Sequence, residues 1–341
     1  MMRNKLILIF FTFLFFELHA QNENGFSVVF YNTENLFDWK DDPHSNDNEF
    51  TPEGERHWTY NRFEQRIQNT GKVLINAHGW DTPAIIGLCE VENRVVLERL
   101  LGETPLKQTP YKIIHKDSPD PRGIDVAMFY NSNVFYPLTY RYIPLLEDDG
   151  SVRNTREILY ASGVLAKTDT IHFFVNHWPS RYSGLLKTRP LRNRAAAWLR
   201  HHVDSLFQID EQAKIIIMGD FNDQPNDESI QEYLRVEEVA SPLKPQILYN
   251  LSLSWAAPDV GTLKYQAQWF IFDQIIVSDA LLRNTEGLYA QADWATIIDP
   301  DFLFETDERY GGRKLKRTYI GYSYNGGFSD HLPVKLKIGK R

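Results

Sequence analysis

Residues 215–225 read I-I-I-M-G-D-F-N-D-Q-P. Ala213-Lys214 leads into four apolar residues, Ile215 to Met218, with no polar break. That is the pattern of a short strand buried on both faces. Gly219 permits a sharp turn, Asp220 and Asn222 follow one residue apart, and Pro225 keeps the strand from resuming. A buried strand that ends in a carboxylate and an amide holds polar chemistry rigidly. The same residues would also serve as an Asx-turn that merely closes the strand. The rest of the chain weighs on the choice, because it repeats the arrangement.

Working outward, strand-like runs are expected at 26–31, 84–88, 111–115, 125–130, 134–142, 159–166, 170–176, 272–277 and 334–338. Phe63, Ile67 and Leu74, with Val73 and Ala77 in the same stripe, predict an amphipathic helix over 61–77. Asn93 is placed to cap a short helix through Leu101. The longest helix is expected over 188–207, with Thr188 as N-cap and Pro190 in the first turn. Its expected core side carries Leu191, Ala195, Trp198, Leu199 and Leu206. The stretch 250–268 has no clear period. No low-complexity linker and no short repeat divides the chain.

Six strand ends carry polar residues of catalytic type: Asn32/Glu34, Glu90, Asn176/His177, Asp220/Asn222, Asp273 and Asp330/His331. Six on one chain point to a single mouth at one edge of stacked sheets. Oxygen-rich ligands without a cysteine cluster favour Mg²⁺, Mn²⁺ or Ca²⁺ over zinc. There is no H-E-x-x-H, no Walker-type G-x-x-x-x-G-K-[ST] and no G-x-S-x-G. Asp and His beside a hard cation suit water attack on a phosphorus ester.

The order N-x-E-N, C-E-V-E-N, N-H-W, G-D-F-N-D-x-P, D-Q-I-I-V-S, S-D-H-L-P-V runs from the first strand to the last. In that order and spacing it resembles the endonuclease/exonuclease/phosphatase superfamily, over residues 26–338. G-T-L-K-Y at 261–265 and Y-N-G-G-F at 324–328 look like secreted members from Bacteroidetes-type bacteria. The resemblance implies a four-layer α/β sandwich, two mixed β-sheets packed face to face with helices outside. It implies that Glu90 is the main metal carboxylate, with Glu34 and Asp330 as further acidic ligands. Asp220 matches the residue that orients or deprotonates water, and Asn222 one that holds a phosphate oxygen. Asp273 matches the carboxylate that orients His331, and His177 the first histidine of the deoxyribonuclease branch. Asn32 joins the catalytic set, and Asn176, Arg181 and Lys264 are the expected substrate-binding residues. Whether Asp220 or His331 is the base stays open at this level. A non-catalytic binding protein on the same fold is disfavoured, because every motif residue is present.

The implied activity is hydrolysis of a phosphodiester, most simply by a secreted endonuclease. The alternative is a lipid or sugar phosphate hydrolase with the same machinery. The chain has 341 residues, 43% hydrophobic and 24% charged, with a net charge of -8. An acidic protein does not coat nucleic acid non-specifically, so an anionic substrate needs a local basic patch. Between His177 and His202 there are six bases (Arg181, Lys187, Arg189, Arg192, Arg194, Arg200) and no acid. This is the expected patch. Residues 38–55 hold seven acids and one base, Lys40, and read as a solvated lid rather than a cation loop.

Arg3 and Lys5 precede an apolar run over 6–16, and Leu18-His19-Ala20 resembles a cleavage site. The run is short of the ~20 residues that span a bilayer. The expectation is a signal peptide over 1–20, a domain over 21–341, and a secreted or periplasmic monomer without stable membrane insertion. Cys89 is the only cysteine, so no intramolecular disulfide forms. It reads as a small buried hydrophobe.

Overall fold

Residues 25–79, 82–147, 149–283 and 285–341 are described by the structure, a computed structural model. The leader expected over 1–20 lies outside the described residues. Among the described residues, no helix is long and apolar enough to cross a membrane.

The chain begins with β1 (Phe26–Leu36), α1 (Tyr60–His78), β2 (Ile85–Val91), α2 (Arg94–Glu103), β3 (Tyr111–Ile114) and β4 (Asp125–Asn131). It continues with β5 (Phe135–Ile143), β6 (Ile158–Leu165), β7 (Asp169–His177), α3 (Leu185–Ile209), β8 (Lys214–Asp220), β9 (Val236–Glu237) and β10 (Leu248–Asn250). A small hairpin, β11 (Leu263–Tyr265) and β12 (Gln268–Phe270), precedes β13 (Asp273–Ser278). Next come β14 (Leu288–Tyr289) and β15 (Ala295–Ile297). Two more hairpins pair β16 (Phe304–Thr306) with β17 (Arg313–Leu315) and β18 (Tyr319–Ile320) with β19 (Ser323–Tyr324). The last strand is β20 (Val334–Lys340).

One sheet has the order β14-β20-β1-β2-β4-β3, with β15 also on β20, and the other runs β5-β6-β7-β8-β13-β10-β9. Both are mixed. β1/β2 and β7/β8 are parallel, while β20 lies antiparallel to β1 and β13 antiparallel to β8. Of the strands that carry the predicted site residues, β1, β2, β7 and β8 therefore bring their C-terminal ends, and β13 and β20 their N-terminal starts, to one edge.

Side-chain alternation makes the layers. Val28, Phe30, Val126 and Met128 of one sheet meet Phe173, Val175, Met218 and Ile275 of the other in the central core. On the outer face of the first sheet, Val29, Tyr31, Ile86 and Leu88 pack under Ile67 and Leu74 of α1 and Leu97 and Leu100 of α2. On the outer face of the second, Phe174, Ile215 and Ile217 pack under Ala195, Leu199 and Val203 of α3. The result is a four-layer α/β sandwich. Asn93 caps α2, its Oδ1 accepting from the Val96 N–H at 3.0 Å. Cys89 is buried between the sheets, and that burial pushes its thiol well up, away from reactive thiolate.

Two local expectations change. Gly219 is not a turn: it lies within β8, opposite Asn176 of β7. A Cβ there would stand 2.4 Å from the Asn176 carbonyl oxygen, so the glycine serves close approach of two strands. The long helix starts three residues before Thr188, which is therefore not its cap. Thr188 is buried and its hydroxyl donates back to the Gly184 carbonyl at 2.9 Å.

The buried face of α3 also differs. It carries Arg192 and Arg200 beside Ala195, Ala196, Leu199 and Val203, while Leu191 and Trp198 are only half-buried. Arg192 is fully buried, its Nε 2.7 Å from Oδ1 of the equally buried Asp223. Asp223 Oδ1 also takes Arg181 at 2.7 Å, and Oδ2 accepts from the Ser229 hydroxyl at 2.7 Å. Arg192→Met should cost about 3 kcal/mol, because it strands part of a buried charge. Urea denaturation measures this directly. A loss below about 1 kcal/mol would show that Arg181 alone suffices for Asp223.

Candidate active site

Two bulges shape the site. The β1–β2 register shifts between Asn32 and Leu36, and the β2–β4 register shifts between Cys89 and Val91. Glu34, Asn35 and Glu90 sit in these irregular stretches, all left-handed, with φ of 49°, 51° and 59°. Asn222 beyond β8 is also left-handed, at 51°. A left-handed glutamate is costly, and its persistence at the mouth re-aims the carboxylate. The backbone around it is held from below: the Thr33 hydroxyl reaches the Cys89 and Glu90 carbonyls at 2.9 and 3.0 Å. The buried Arg66 of α1 donates to the Thr33 carbonyl.

Asn32 joins the two sheets. Its Nδ2 donates to Asp220 Oδ2 at 3.0 Å and to Glu90 Oε1 at 3.3 Å, while its Oδ1 accepts from the Glu34 N–H at 2.9 Å. Glu90 Oε2 accepts from the Asn35 N–H at 3.0 Å. Asp220 keeps its other oxygen for the Asn222 N–H, at 2.9 Å. Thus the Asx-turn and the site coexist: one oxygen closes the turn and the other faces the mouth. Asn222 Nδ2 donates to the Trp178 carbonyl at 3.1 Å.

Asp273 lies opposite Asp220 across β8/β13 and receives His331 Nδ1 at 2.7 Å. His331 Nε2 then lies 3.8 Å from Asp220 Oδ2. Thr262, which the sequence did not single out, tethers this corner: its hydroxyl accepts from the Phe272 and Asp273 N–H groups at 3.1 Å each. His177 enters from the other side, Nε2 3.5 Å from Glu90 Oε1 and 3.8 Å from Asp220 Oδ2. Its buried Nδ1 has no hydrogen-bond partner.

Burial, aided by Asp330, raises the Glu90 carboxyl above its usual range. Burial raises Asp220 to about 6, with His331 opposing and Asp273 adding. Burial works against an imidazolium at His331, but Asp273 and Asp220 outweigh it and hold its pKa well above normal. His177 goes the other way: burial, with Arg156 and Arg122 nearby, pushes it well below normal. A neutral His177 is suited to serve as a ligand or an acceptor.

Glu90, His177 and Asp220 offer ligand atoms within 4.8 Å of one another. Two carboxylates, buried Asp220 and half-buried Glu90, both raised by desolvation and standing beside a neutral imidazole, make a donor set that fits a divalent cation. The expected acids do not all gather there. Arg317, which the sequence reading passed over, bridges the other two. Its Nη2 lies 2.7 Å from Glu34 Oε1 and 2.9 Å from Asp330 Oδ2.

Two expected substrate residues are taken up by the fold. Asn176 is fully buried, donating toward the Phe174 and Met218 carbonyls and accepting from the Trp178 indole at 3.1 Å. Lys264 Nζ is held by Asp307 at 2.8 Å and by the Gly311 and Arg313 carbonyls at 3.1 Å. Arg181 does border the mouth. It bonds the Asn222 carbonyl at 2.7 Å and stacks 4.7 Å from the Phe272 ring, but Asp223 and Asp227 neutralise it. The arginines of the basic run are likewise paired. Arg189 meets Glu228 at 3.8 Å, Arg194 meets Glu147 at 3.1 Å and Arg200 meets Asp204 at 2.6 Å. Glu228 and Glu147 come from elsewhere in the chain, whereas Asp204 lies one turn further along α3. Beside Asn222 lies a cavity of about 560 Å³, lined by Arg181, Tyr182, Tyr265, Phe270 and Phe272.

The model of the Endonuclease/Exonuclease/phosphatase family matches residues 27–340. The chain belongs to that family. No curated protein matches it in sequence. Among solved structures, it resembles an endonuclease/exonuclease/phosphatase family protein from Bacteroides thetaiotaomicron, with 16% identity and a TM-score of 0.55. That match covers 92% of this chain and 97% of the other. D. rerio TDP2 complexed with single strand DNA product gives 12% identity and a TM-score of 0.54, over 93% and 99% of the two chains. The human Nocturnin catalytic domain with bound sulfate gives 16% and 0.51, over 92% and 94%. At such identities the likeness establishes the fold.

Proposed function

We propose that the chain is an exported, divalent-metal-dependent phosphodiesterase, most simply an endonuclease, whose mature domain spans 21–341. The observation that carries the reading is the Asn32 amide joining Glu90 and Asp220 across the two sheets, beside the Asp273–His331 pair. Family membership supports phosphoester hydrolysis, and the Glu90–His177–Asp220 cluster supports a divalent ion.

Glu90, His177 and Asp220 are the residues that would hold Mg²⁺, Mn²⁺ or Ca²⁺. When bound, the ion supplies charge neutralisation at the phosphate. Asp220, with its pKa near 6, is ionised at neutral pH and takes the proton of the attacking water. His331, kept as imidazolium by Asp273, donates Nε2–H toward the phosphoryl oxygen on which charge grows. Both groups are shifted upward, yet the carboxylate stays ionised and the imidazole stays protonated at neutral pH, so the two neighbours receive opposite roles. Asn222 and Asn32 fix the Asp220 carboxylate so that it needs no reorientation.

Nucleic acid is favoured over lipid by the cavity beside Asn222. Tyr182 and Tyr265 are 97% and 65% exposed on its rim, and aromatic faces stack bases. The aromatic residues near the acidic loop do not form a lipid-dipping tip, since Phe50 and Trp58 are buried. A substrate panel tests the reading: single- and double-stranded DNA, RNA, sphingomyelin, inositol phosphates and a chromogenic diester, each with Mg²⁺, Mn²⁺, Ca²⁺ or chelator. Turnover of DNA or RNA that chelator abolishes is expected.

The double variant Tyr182→Ala/Tyr265→Ala should raise KM for oligonucleotides roughly tenfold and leave the chromogenic diester unchanged. Equal effects on both substrates would remove stacking from the account and favour a small phosphate ester.

A further inference from the structure

Glu34 and Asp330 are matched by the family resemblance to metal carboxylates, yet both are engaged by one loop of this chain. Arg317 stands between β17 and β18. Its Nε donates to Glu34 Oε1 at 2.8 Å, and its Nη2 lies between Glu34 Oε1 and Asp330 Oδ2. The other oxygen, Glu34 Oε2, accepts from the backbone N–H of Thr318 at 3.3 Å. A side chain can swing away, but a backbone donor moves only with its loop.

That loop is pinned. The Lys316 N–H bonds the Leu303 carbonyl at 2.8 Å, and the Phe328 N–H returns to the Lys316 carbonyl at 2.7 Å. Asn325 Nδ2 donates to the Arg317 carbonyl at 3.1 Å, and the Gly327 N–H to the same carbonyl at 3.2 Å. A Cβ on Gly327 would stand 2.0 Å from the Lys316 carbonyl oxygen and 2.4 Å from that of Arg317. The Y-N-G-G-F motif at 324–328 therefore has a structural purpose here: it closes the backbone around Arg317. From Asn69 of α1, Nδ2 clamps the Gly326 and Gly327 carbonyls at 3.2 and 2.7 Å.

We propose that the Arg317 guanidinium is a built-in cation that takes the place of a second metal ion between Glu34 and Asp330. The enzyme then holds one divalent ion, beside Glu90. Arg317 is a positioning residue in this account. It balances two carboxylates at a fixed distance, which a diffusible ion would do only at sufficient concentration. Its outer edge stays open: the side chain is 48% exposed and lines a cavity of about 170 Å³ that also touches Arg309, Lys314 and Asp330. A planar fork suits this bridge better than an ammonium, because one guanidinium addresses two carboxylates along separate N–H directions.

The proposal rests on the metal-dependent reading above, and the experiment separates the two. Mn²⁺ binding to the purified chain is titrated calorimetrically and by the loss of the free Mn²⁺ spin-resonance signal. Thermal melts are recorded with Mn²⁺ and with chelator. Wild type is expected to bind one ion per chain. Arg317→Ala is expected to bind two, to melt lower than wild type in chelator, and to gain more from Mn²⁺ than wild type does. Arg317→Lys, which keeps a cation, is expected to stay at one ion. Two ions in wild type would overturn the proposal even if Arg317→Ala cannot be folded. So would one ion of unchanged affinity in all three proteins. No ion in wild type, with activity intact in chelator, would overturn the metal-dependent reading itself.

Discussion

Glu90→Gln is expected to lower metal-dependent turnover by about 10³-fold or more while leaving the fold intact. The amide has the same size and keeps an oxygen for the Asn35 N–H, now 3.0 Å from Oε2. What it loses is the charge at the centre of the Glu90–His177–Asp220 cluster, together with the long contact that Oε1 accepts from Asn32 Nδ2 at 3.3 Å, a donor that keeps Asp220 Oδ2 at 3.0 Å. The same substitution should not destabilise the metal-free protein. Burial, then Asp330, raises the Glu90 carboxyl, so the folded state disfavours its charged form. Above the pKa of a free glutamate, the unfolded chain is ionised at no cost and the folded chain is not. Removing the charge therefore helps the metal-free fold at neutral pH. The expected signature is loss of turnover with a melting temperature, in chelator, equal to wild type or higher. Activity and melting curves with and without Mg²⁺ measure both. Wild-type turnover at the same metal concentration would remove Glu90 from the metal assignment.

The second large effect concerns Asp273 and His331. Each of His331→Ala and Asp273→Asn should reduce kcat by about 10²- to 10⁴-fold. The first removes the imidazolium that sits 3.8 Å from Asp220. The second leaves the ring in place but removes the charge that accepts Nδ1–H at 2.7 Å and keeps the ring protonated. The ring then falls toward its neutral form and loses the Nε2 proton it is meant to offer. Because the two act as one unit, the double variant should be no slower than His331→Ala alone. Turnover numbers for the four proteins on one substrate close the cycle. Multiplicative losses would mean that the residues act independently, which a direct 2.7 Å contact does not support.

Period-2 alternation and unbroken apolar runs made most strands readable, and a helical stripe located α1. Strand ends were readable as chemistry because polar residues there have nothing apolar to cover. The order of motifs placed Asn32, Glu90, Asp220, Asp273 and His331 in one constellation, and the structure brings these five together. The misreadings share a cause. Asn176, Arg192 and Lys264 looked available because their partners, Met218, Asp223 and Asp307, are supplied by other strands, turns and loops. Charge in sequence is local, whereas neutralisation is three-dimensional.

The sequence by itself determined the buried strands and the residue types at the mouth, which rest on short-range periodicity, while the layer order followed only from the family resemblance. Tertiary structure alone decided which carboxylates stay together and which are taken by a guanidinium. Glu34 and Arg317 lie 283 positions apart, and nothing along the chain signals that a pinned loop returns one to the other. It also decided that Gly219 serves strand contact rather than a turn, since only the neighbouring strand reveals the missing space. Opposite shifts at His177 and His331 follow the same rule: the residue is the same, and the surrounding charges set its state.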